Sequence, residues 1–292
     1  MGNQLTIVTT TYNRPEKLTK LFKSLAKQTD KNFCWWIVND GSTISYSAIE
    51  KEIVENKDGF DVAFFEKKNG GKHRALNYII PKIQSKYMMI IDDDDYLVEN
   101  AVERVLLYSK KYLDQNKKVK SIVFERAKND QITPMSPLPK KIDFGKRFQY
   151  VIKNKINGDF TDVFDTKSLK EFKLPEFYGE NFISEGPLYF EFSQKYESVF
   201  IKEKISVGDY NVGGLSSNVH QLMAKNINGA LFEIHLFLSV PNPMYYKIKK
   251  GLLYGYLMKK NKKKLVYAIS SAPTKLASFL TLPGYIIGII KK

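Results

Sequence analysis

The sequence predicts an α/β protein built on a mainly parallel sheet, and three observations carry that reading. Runs of strand length recur through the first 125 residues: Gln4 to Thr10, Phe33 to Asn39, Asp61 to Phe65, Tyr87 to Ile91 and Lys120 to Phe124. Between them lie stretches with helical spacing, and such alternation implies right-handed crossovers. Each unusual polar cluster follows a strand, where parallel sheets bind their ligands.

The first strand ends in Thr10-Thr11-Tyr12-Asn13, and Pro15 opens a helix whose Leu18, Leu21, Phe22 and Leu25 fall at i, i+3, i+4 and i+7. The second ends in Asp40-Gly41-Ser42-Thr43 before a weaker helix carrying Ile49, Ile53 and Val54. The third runs into Lys68-Asn69-Gly70-Gly71-Lys72-His73-Arg74, followed by a helix with Ala75, Leu76, Ile79, Ile80 and Ile83 on one face. The fourth delivers Asp92-Asp93-Asp94-Asp95, and a helix over about Ala101 to Leu113 leads to the fifth strand.

With 292 residues, 43% hydrophobic and 13% aromatic, the chain has enough apolar matter for one large core and a smaller appendage. A single cysteine, Cys34, excludes disulfides within the chain and points to a reducing compartment. Met1 to Thr6 lacks the basic region of a secretory signal. The net charge of +15 is uneven: residues 234–292 hold eleven lysines and no Asp or Glu. A tail of that kind serves an anionic lipid surface or nucleic acid.

Four consecutive carboxylates repel one another unless a cation neutralises them, and oxygen ligands suit Mg²⁺ or Mn²⁺ completed by substrate phosphates. The plainer alternative is an acidic turn capping the next helix. The other loops suit a nucleoside diphosphate. Tyr12 offers a face for a base, Asp40 an acceptor for a base N–H, Gly70-Gly71 backbone donors, and Lys72, His73 and Arg74 positive charge for phosphate. Taken singly, these are also a core aromatic, a turn and a helix entry; four clusters along one sheet edge favour a site.

Thr-Ile-Val-Thr-Thr-Thr-Tyr-Asn-Arg-Pro, then Asn-Asp-Gly-Ser, then Asn-Gly-Gly-Lys-His-Arg-Ala-Leu-Asn, then Ile-Asp-Asp-Asp-Asp resembles the family 2 glycosyltransferases of the GT-A fold. The resemblance implies inverting transfer of a sugar from a nucleoside diphosphate donor, usually UDP, aided by Mn²⁺ or Mg²⁺. It implies that Thr10, Tyr12 and Asp40 hold the uracil end, and that Asn69, Lys72 and Arg74 bind the nucleotide sugar with Asp92 and Asp93. Asp94 would ligate the metal, Asp92 would face ribose or a metal-bound water, and Asp95 is the next acid of the pattern or a helix cap.

Inversion needs a carboxylate that takes the acceptor's proton. The stretch from Pro175 to Pro187 is similar to the family's Glu-Asp motif, with Glu185 followed by Gly186 instead of Asp, so Glu185 is the first candidate and Glu180 the second. The glycine-rich stretch Gly208 to His220 resembles a loop that closes over the diphosphate, with His220 completing the metal site. The expected division is a GT-A domain over 1–233, split at 125 into nucleotide-sugar and acceptor parts, and a helical membrane-association segment over 234–292. Pro283-Gly284 is expected to interrupt the last apolar run, which is shorter than the ~20 residues that span a bilayer. Lysines beside Tyr, Leu and Ile suit helices lying in the headgroup layer; an oligomerisation segment is the other reading, and the shortage of arginine and abundance of Leu and Ile argue against nucleic acid.

Together these readings describe a peripheral enzyme on the cytoplasmic face of a bacterial membrane. It would move one sugar from a UDP-sugar to a lipid-linked oligosaccharide or glycan acceptor for capsule, exopolysaccharide or wall synthesis. The rivals are a sugar-phosphate nucleotidyltransferase and a non-catalytic basic protein that binds lipid or nucleic acid.

Overall fold

A computed structural model describes residues 3–130, 132–156, 158–208 and 219–290. The chain divides into two compact units, Met1–Leu174 with Glu191–Asp209, and Pro175–Phe190 with Tyr210–Lys292.

In the first unit the expected alternation is present: β1 (Leu5–Thr11), α1 (Pro15–Ala26), β2 (Phe33–Asn39), α2 (Ser47–Asn56), β3 (Asp61–Glu66), α3 (Lys72–Ile79) and β4 (Tyr87–Ile90). Strands β3, β2, β1 and β4 lie side by side and all parallel, with Ile7 opposite both Trp35 and Met89. Their apolar side chains, with Leu18, Leu21, Phe22 and Leu25 of α1, make the main core; the Phe22 ring stacks on Trp35 at 6.5 Å. Burying each such side chain contributes about 1.5–3 kcal/mol, so this face fixes the register that sets the loops beyond it. In α2 only Ile49 and Ile53 reach the core; Val54, one residue further round the helix, points to solvent.

Beyond β4 come β5 (Tyr96–Leu97), α4 (Ala101–Tyr108) with a π-helical turn at Ser109–Leu113, β6 (Val119–Ala127), β7 (Ile142–Gly145), α5 (Arg147–Lys153), β8 (Phe160–Asp165) and α6 (Thr166–Leu169). They are followed by α7 (Gly186–Lys195) and β9 (Glu197–Val207). The sheet continues from β4 through antiparallel β8, then β6 and β9, with β5 and β7 both antiparallel to β9. Among the described residues this makes one nine-stranded α/β sheet, with β3, β2, β1 and β4 as its parallel part.

Helices α8 (Val219–Lys225), α9 (Ile227–Leu238), α10 (Met244–Lys260), α11 (Leu265–Ser270) and α12 (Lys275–Ile290) build the second unit around Met223, Ile234, Tyr254, Leu257 and Ala277. The change of composition after residue 233 falls inside α9, so it marks a shift of charge rather than a break in packing. Pro283 does not interrupt α12, which runs through it. Gly255 and Gly284 let α10 and α12 touch backbone to backbone: a Cβ at Gly284 would stand 2.2 Å from the Leu252 carbonyl oxygen. That contact holds the helix where proline removes a hydrogen bond. Among the described residues no helix is long and apolar enough to cross a membrane.

Because backbone, not a movable side chain, blocks that position, Gly284→Ala is expected to lower the stability of the second unit by about 1–3 kcal/mol. Denaturant unfolding followed by limited proteolysis of the C-terminal helices checks this; wild-type resistance would contradict the close approach.

Candidate active site

After Ile91 the chain turns at Asp93-Asp94, closed by Asp95 N–H donating to the Asp92 carbonyl at 3.1 Å. Asp93 and Asp95 face inward and are buried, while Asp92 and Asp94 face outward, their side chains 41% and 24% exposed. Three side chains of the protein, rather than a metal alone, answer the carboxylates. Lys72 at the start of α3 reaches Asp92 at 2.5 Å, Arg14 of the β1–α1 loop reaches Asp93 at 2.7 Å and Asp94 at 3.7 Å, and Arg126 of β6 pairs with Asp95.

Their titration follows from this. Burial works to raise Asp92, but Lys72, Arg126 and Arg14 outweigh it and hold the carboxyl below its usual range. Asp93 is pushed up to about 6 by burial, with Asp94 and Asp92 adding to that push against Arg14 and Thr11. Burial raises Asp95 as well, although Arg126 opposes it.

Asp93, expected among the residues that bind the nucleotide sugar, is buried and braced by its neighbours. Thr11 donates its hydroxyl to Asp93 at 2.7 Å, so the 2.8 Å bond between Tyr46 and Thr11 must run from the phenol, which in turn accepts from the backbone N–H of Arg14 at 2.9 Å.

Asp40 is likewise a strut. Its carboxylate accepts from Gly71 N–H at 2.6 Å, Gly70 N–H at 3.2 Å, Lys67 Nζ at 2.6 Å and Asn69 Nδ2 at 3.2 Å, leaving it 4% exposed. The carboxylate that the resemblance assigns to the base thus ties the end of β2 to the loop after β3. Gly41, at φ +69°, allows the approach, since a Cβ there would stand 2.4 Å from Asn69 N. Asn13, also at positive φ, accepts from Thr43 and Ile44 while its N–H donates to Ser42, tying the β1 and β2 loops together.

Against this braced floor Tyr12 stands 44% exposed, Thr10 is buried at the end of β1, and Arg74 donates back to the Gly70 carbonyl at 3.1 Å. The surface left for a ligand is an aromatic face, two outward carboxylates and the cations Lys72 and Arg14. Asp92 and Asp94 supply oxygen donors only, and among the described residues no group of three His, Cys, Asp or Glu is placed to hold a metal. That donor set fits an Mg²⁺ or Mn²⁺ completed by substrate phosphate and water rather than an all-protein cage.

In the second unit Glu180 accepts from Asn228 N–H at 2.7 Å and Gly229 N–H at 2.8 Å, capping α9 as an anion at its positive end. Glu185 is half-buried immediately before α7, where its carbonyl accepts from Tyr189 N–H. His220 is exposed on α8 with its ring 6.0 Å from that of Tyr256. The glycine-rich residues 209–218 lie outside the described residues.

Sequence reasoning missed Arg14, Tyr46, Lys67 and Arg126 as parts of this site. A count of charge would have found the arginines: the chain has only five, and two of them answer the Asp run. Replacing Asp40 by Asn turns an acceptor toward donors, so Asp40→Asn is expected to cost about 2–3 kcal/mol of stability. Chemical denaturation of the two proteins checks this, and coincident midpoints would show that the strut carries no weight.

Comparison with known proteins gives this geometry a context. The sequence profile described as glycosyl transferase family 2 matches residues 6–171. A teichoic acid poly(glycerol phosphate) polymerase of Staphylococcus epidermidis is 33% identical over 101 residues, 34% of this chain but 14% of the polymerase's own length. S. aureus TarS, residues 1–349, solved with UDP, superposes with a TM-score of 0.63 at 14% identity, covering 97% of this chain and 89% of that one. The mannosyltransferase PcManGT of Pyrobaculum calidifontis, solved with GDP-Man and Mn²⁺, gives 0.59 at 12% identity over 100% and 82%. At such identities the structural likeness is one of fold, and the profile decides the family: spanning more than half of its length, it shows that this chain belongs to glycosyl transferase family 2.

Proposed function

We propose that this glycosyltransferase transfers one sugar, with inversion, from a UDP-sugar to a lipid-linked or polysaccharide acceptor in bacterial capsule, exopolysaccharide or wall-glycan synthesis, on the cytoplasmic face of the membrane. The observation that carries the reading is the split of the Asp run: two carboxylates outward at the ends of parallel strands, beside an exposed Tyr12 and two cations. The UDP and UDP-GlcNAc complexes of TarS support a uridine donor, and the GDP-Man and Mn²⁺ complex of PcManGT supports a metal.

In this reading Tyr12 stacks on the base, and Lys72 and Arg14 draw the diphosphate to the strand ends. Asp92 and Asp94 would hold the Mn²⁺ or Mg²⁺, with His220 the candidate nitrogen ligand from the resemblance. The ion would supply neutralisation of charge on the leaving diphosphate. Lys72 is displaced from Asp92 toward phosphate as the donor arrives, since an ammonium on a flexible stem follows the stronger local anion. Glu185 takes the acceptor's proton, a role for which Glu180 is poorly suited because helix α9 already occupies its oxygens.

Two experiments test these assignments. A panel of UDP-sugars with Mn²⁺, scored for UDP release, is expected to find one turned over, with Asp94→Ala lowering release by about a hundredfold or more and chelator abolishing it. Undiminished release in Asp94→Ala would remove the metal assignment, and pyrophosphate release from a nucleoside triphosphate and a sugar phosphate would favour a nucleotidyltransferase. Glu180→Gln is expected to lower the unfolding free energy by about 1–2 kcal/mol. Glu185→Gln, assayed where the protein is folded, is expected to reduce turnover with donor affinity by calorimetry unchanged; full turnover in Glu185→Gln with turnover lost in folded Glu180→Gln would exchange the two roles.

A further inference from the structure

Helix α12 is amphipathic in the wrong sense for a helix whose outer face meets water. Ala277, Thr281, Gly284 and Gly288, spaced i, i+4, i+7 and i+11, are the buried positions and pack on α10 through Gly251 and Gly255. The opposite stripe, Phe279, Leu282, Ile286, Ile289 and Ile290, is exposed, Phe279 to 78% and Ile290 to 74%. Small residues thus face in and large apolar ones face out, the reverse of the pattern of a surface helix in a soluble protein. Helix α11 adds Val266, 79% exposed, and Tyr267.

Lysines border this apolar surface. Lys262, Lys263 and Lys264 are exposed just before α11, and Lys275 is exposed at the start of α12. Near its other end the Tyr285 hydroxyl donates to the Lys263 carbonyl at 2.9 Å, with the Lys259 ammonium 5.2 Å from the Tyr285 ring. No acid occurs from residue 234 onward.

We propose that the outward stripe of α12, with Val266 and Tyr267, is the face by which the protein lies in the headgroup layer of an anionic bilayer, its lysines meeting lipid phosphates. At 16 residues α12 is about 24 Å long, too short to cross a ~30 Å hydrocarbon layer and long enough to lie along one. A second copy of the chain fits this face less well, because a two-fold contact would set the lysine border against itself. Nucleic acid would satisfy the lysines and leave the apolar stripe in water. The inference rests on the reading that the acceptor sits at a lipid surface, but its readout is binding without any donor.

Co-sedimentation of the full chain with vesicles provides the test. Binding is expected to phosphatidylcholine vesicles containing about a third phosphatidylglycerol, to weaken with salt, and to be absent from pure phosphatidylcholine. The pair Phe279→Ser and Ile286→Ser is expected to weaken it by about tenfold or more. The set Lys262→Gln, Lys263→Gln and Lys264→Gln should lower it with the folded state intact, which decides the matter if the serine pair shifts the melting curve. Asp94→Ala should bind vesicles as wild type does while losing UDP release, separating this inference from the transferase assignment. Wild-type protein left in the supernatant, unchanged binding of both sets of variants, or a stable dimer in light scattering that the serine pair dissolves would each overturn it.

Discussion

Four adjacent carboxylates at one strand end are the constraint on which the first unit depends. At about 4 Å and an effective dielectric near 20, each pair of like charges costs roughly 4 kcal/mol, comparable with the whole margin of a folded domain. The turn after β4 relieves part of this by sending Asp93 and Asp95 inward and Asp92 and Asp94 outward. Cations from three different segments relieve the rest: Arg14 beyond β1, Lys72 at α3 and Arg126 on β6. None of the three is near the acids in sequence, so the balance of charge depends on the sheet that brings them together, and it fixes where the loops end.

The buried acids repeat one solution at different places. Asp93 is met by a hydroxyl chain and a guanidinium, Asp40 by two backbone N–H groups, an amide and an ammonium, Glu180 by the first turn of α9. A buried carboxylate without such partners would cost several kcal/mol, so each acid dictates the conformation of the loop that answers it. Rigidity follows, and with it a floor against which Tyr12 and the outward carboxylates are presented in fixed positions. The exposed residues and the residues that hold them in place are then different sets, even within one run of aspartates.

Much of this was legible in the sequence because local rules decide it. The strands from β1 to β4, the helical face of Leu18 to Leu25 and the gathering of four loops at the strand ends follow from periodicity and topology alone. The division of labour within the Asp run was less legible, since it is set by a turn, closed from Asp95 N–H to the Asp92 carbonyl, that four identical residues do not announce. Partners distant in sequence were not legible. That Asp40 turns to Gly70 and Gly71, thirty residues on, depends on β2 lying beside β3, and nothing in Asn-Asp-Gly-Ser distinguishes a carboxylate aimed at a base from one aimed at the backbone. Pro283 misled for a related reason: proline's cost in a helix is local, while the Gly255–Gly284 contact that offsets it comes from another helix.

The two units also draw cohesion from different sources. The first buries large side chains, Trp35, Phe33, Phe124 and Tyr87 among them, and its stability scales with the apolar area withdrawn from water. Where α10 meets α12, glycines set the closest approach and Leu280 seats on Gly251, so dispersion between closely approaching backbones adds to the burial of Tyr254, Leu257 and Ala277. Such a contact leaves the large apolar side chains of α12 outside, an arrangement that water penalises and a lipid interface does not.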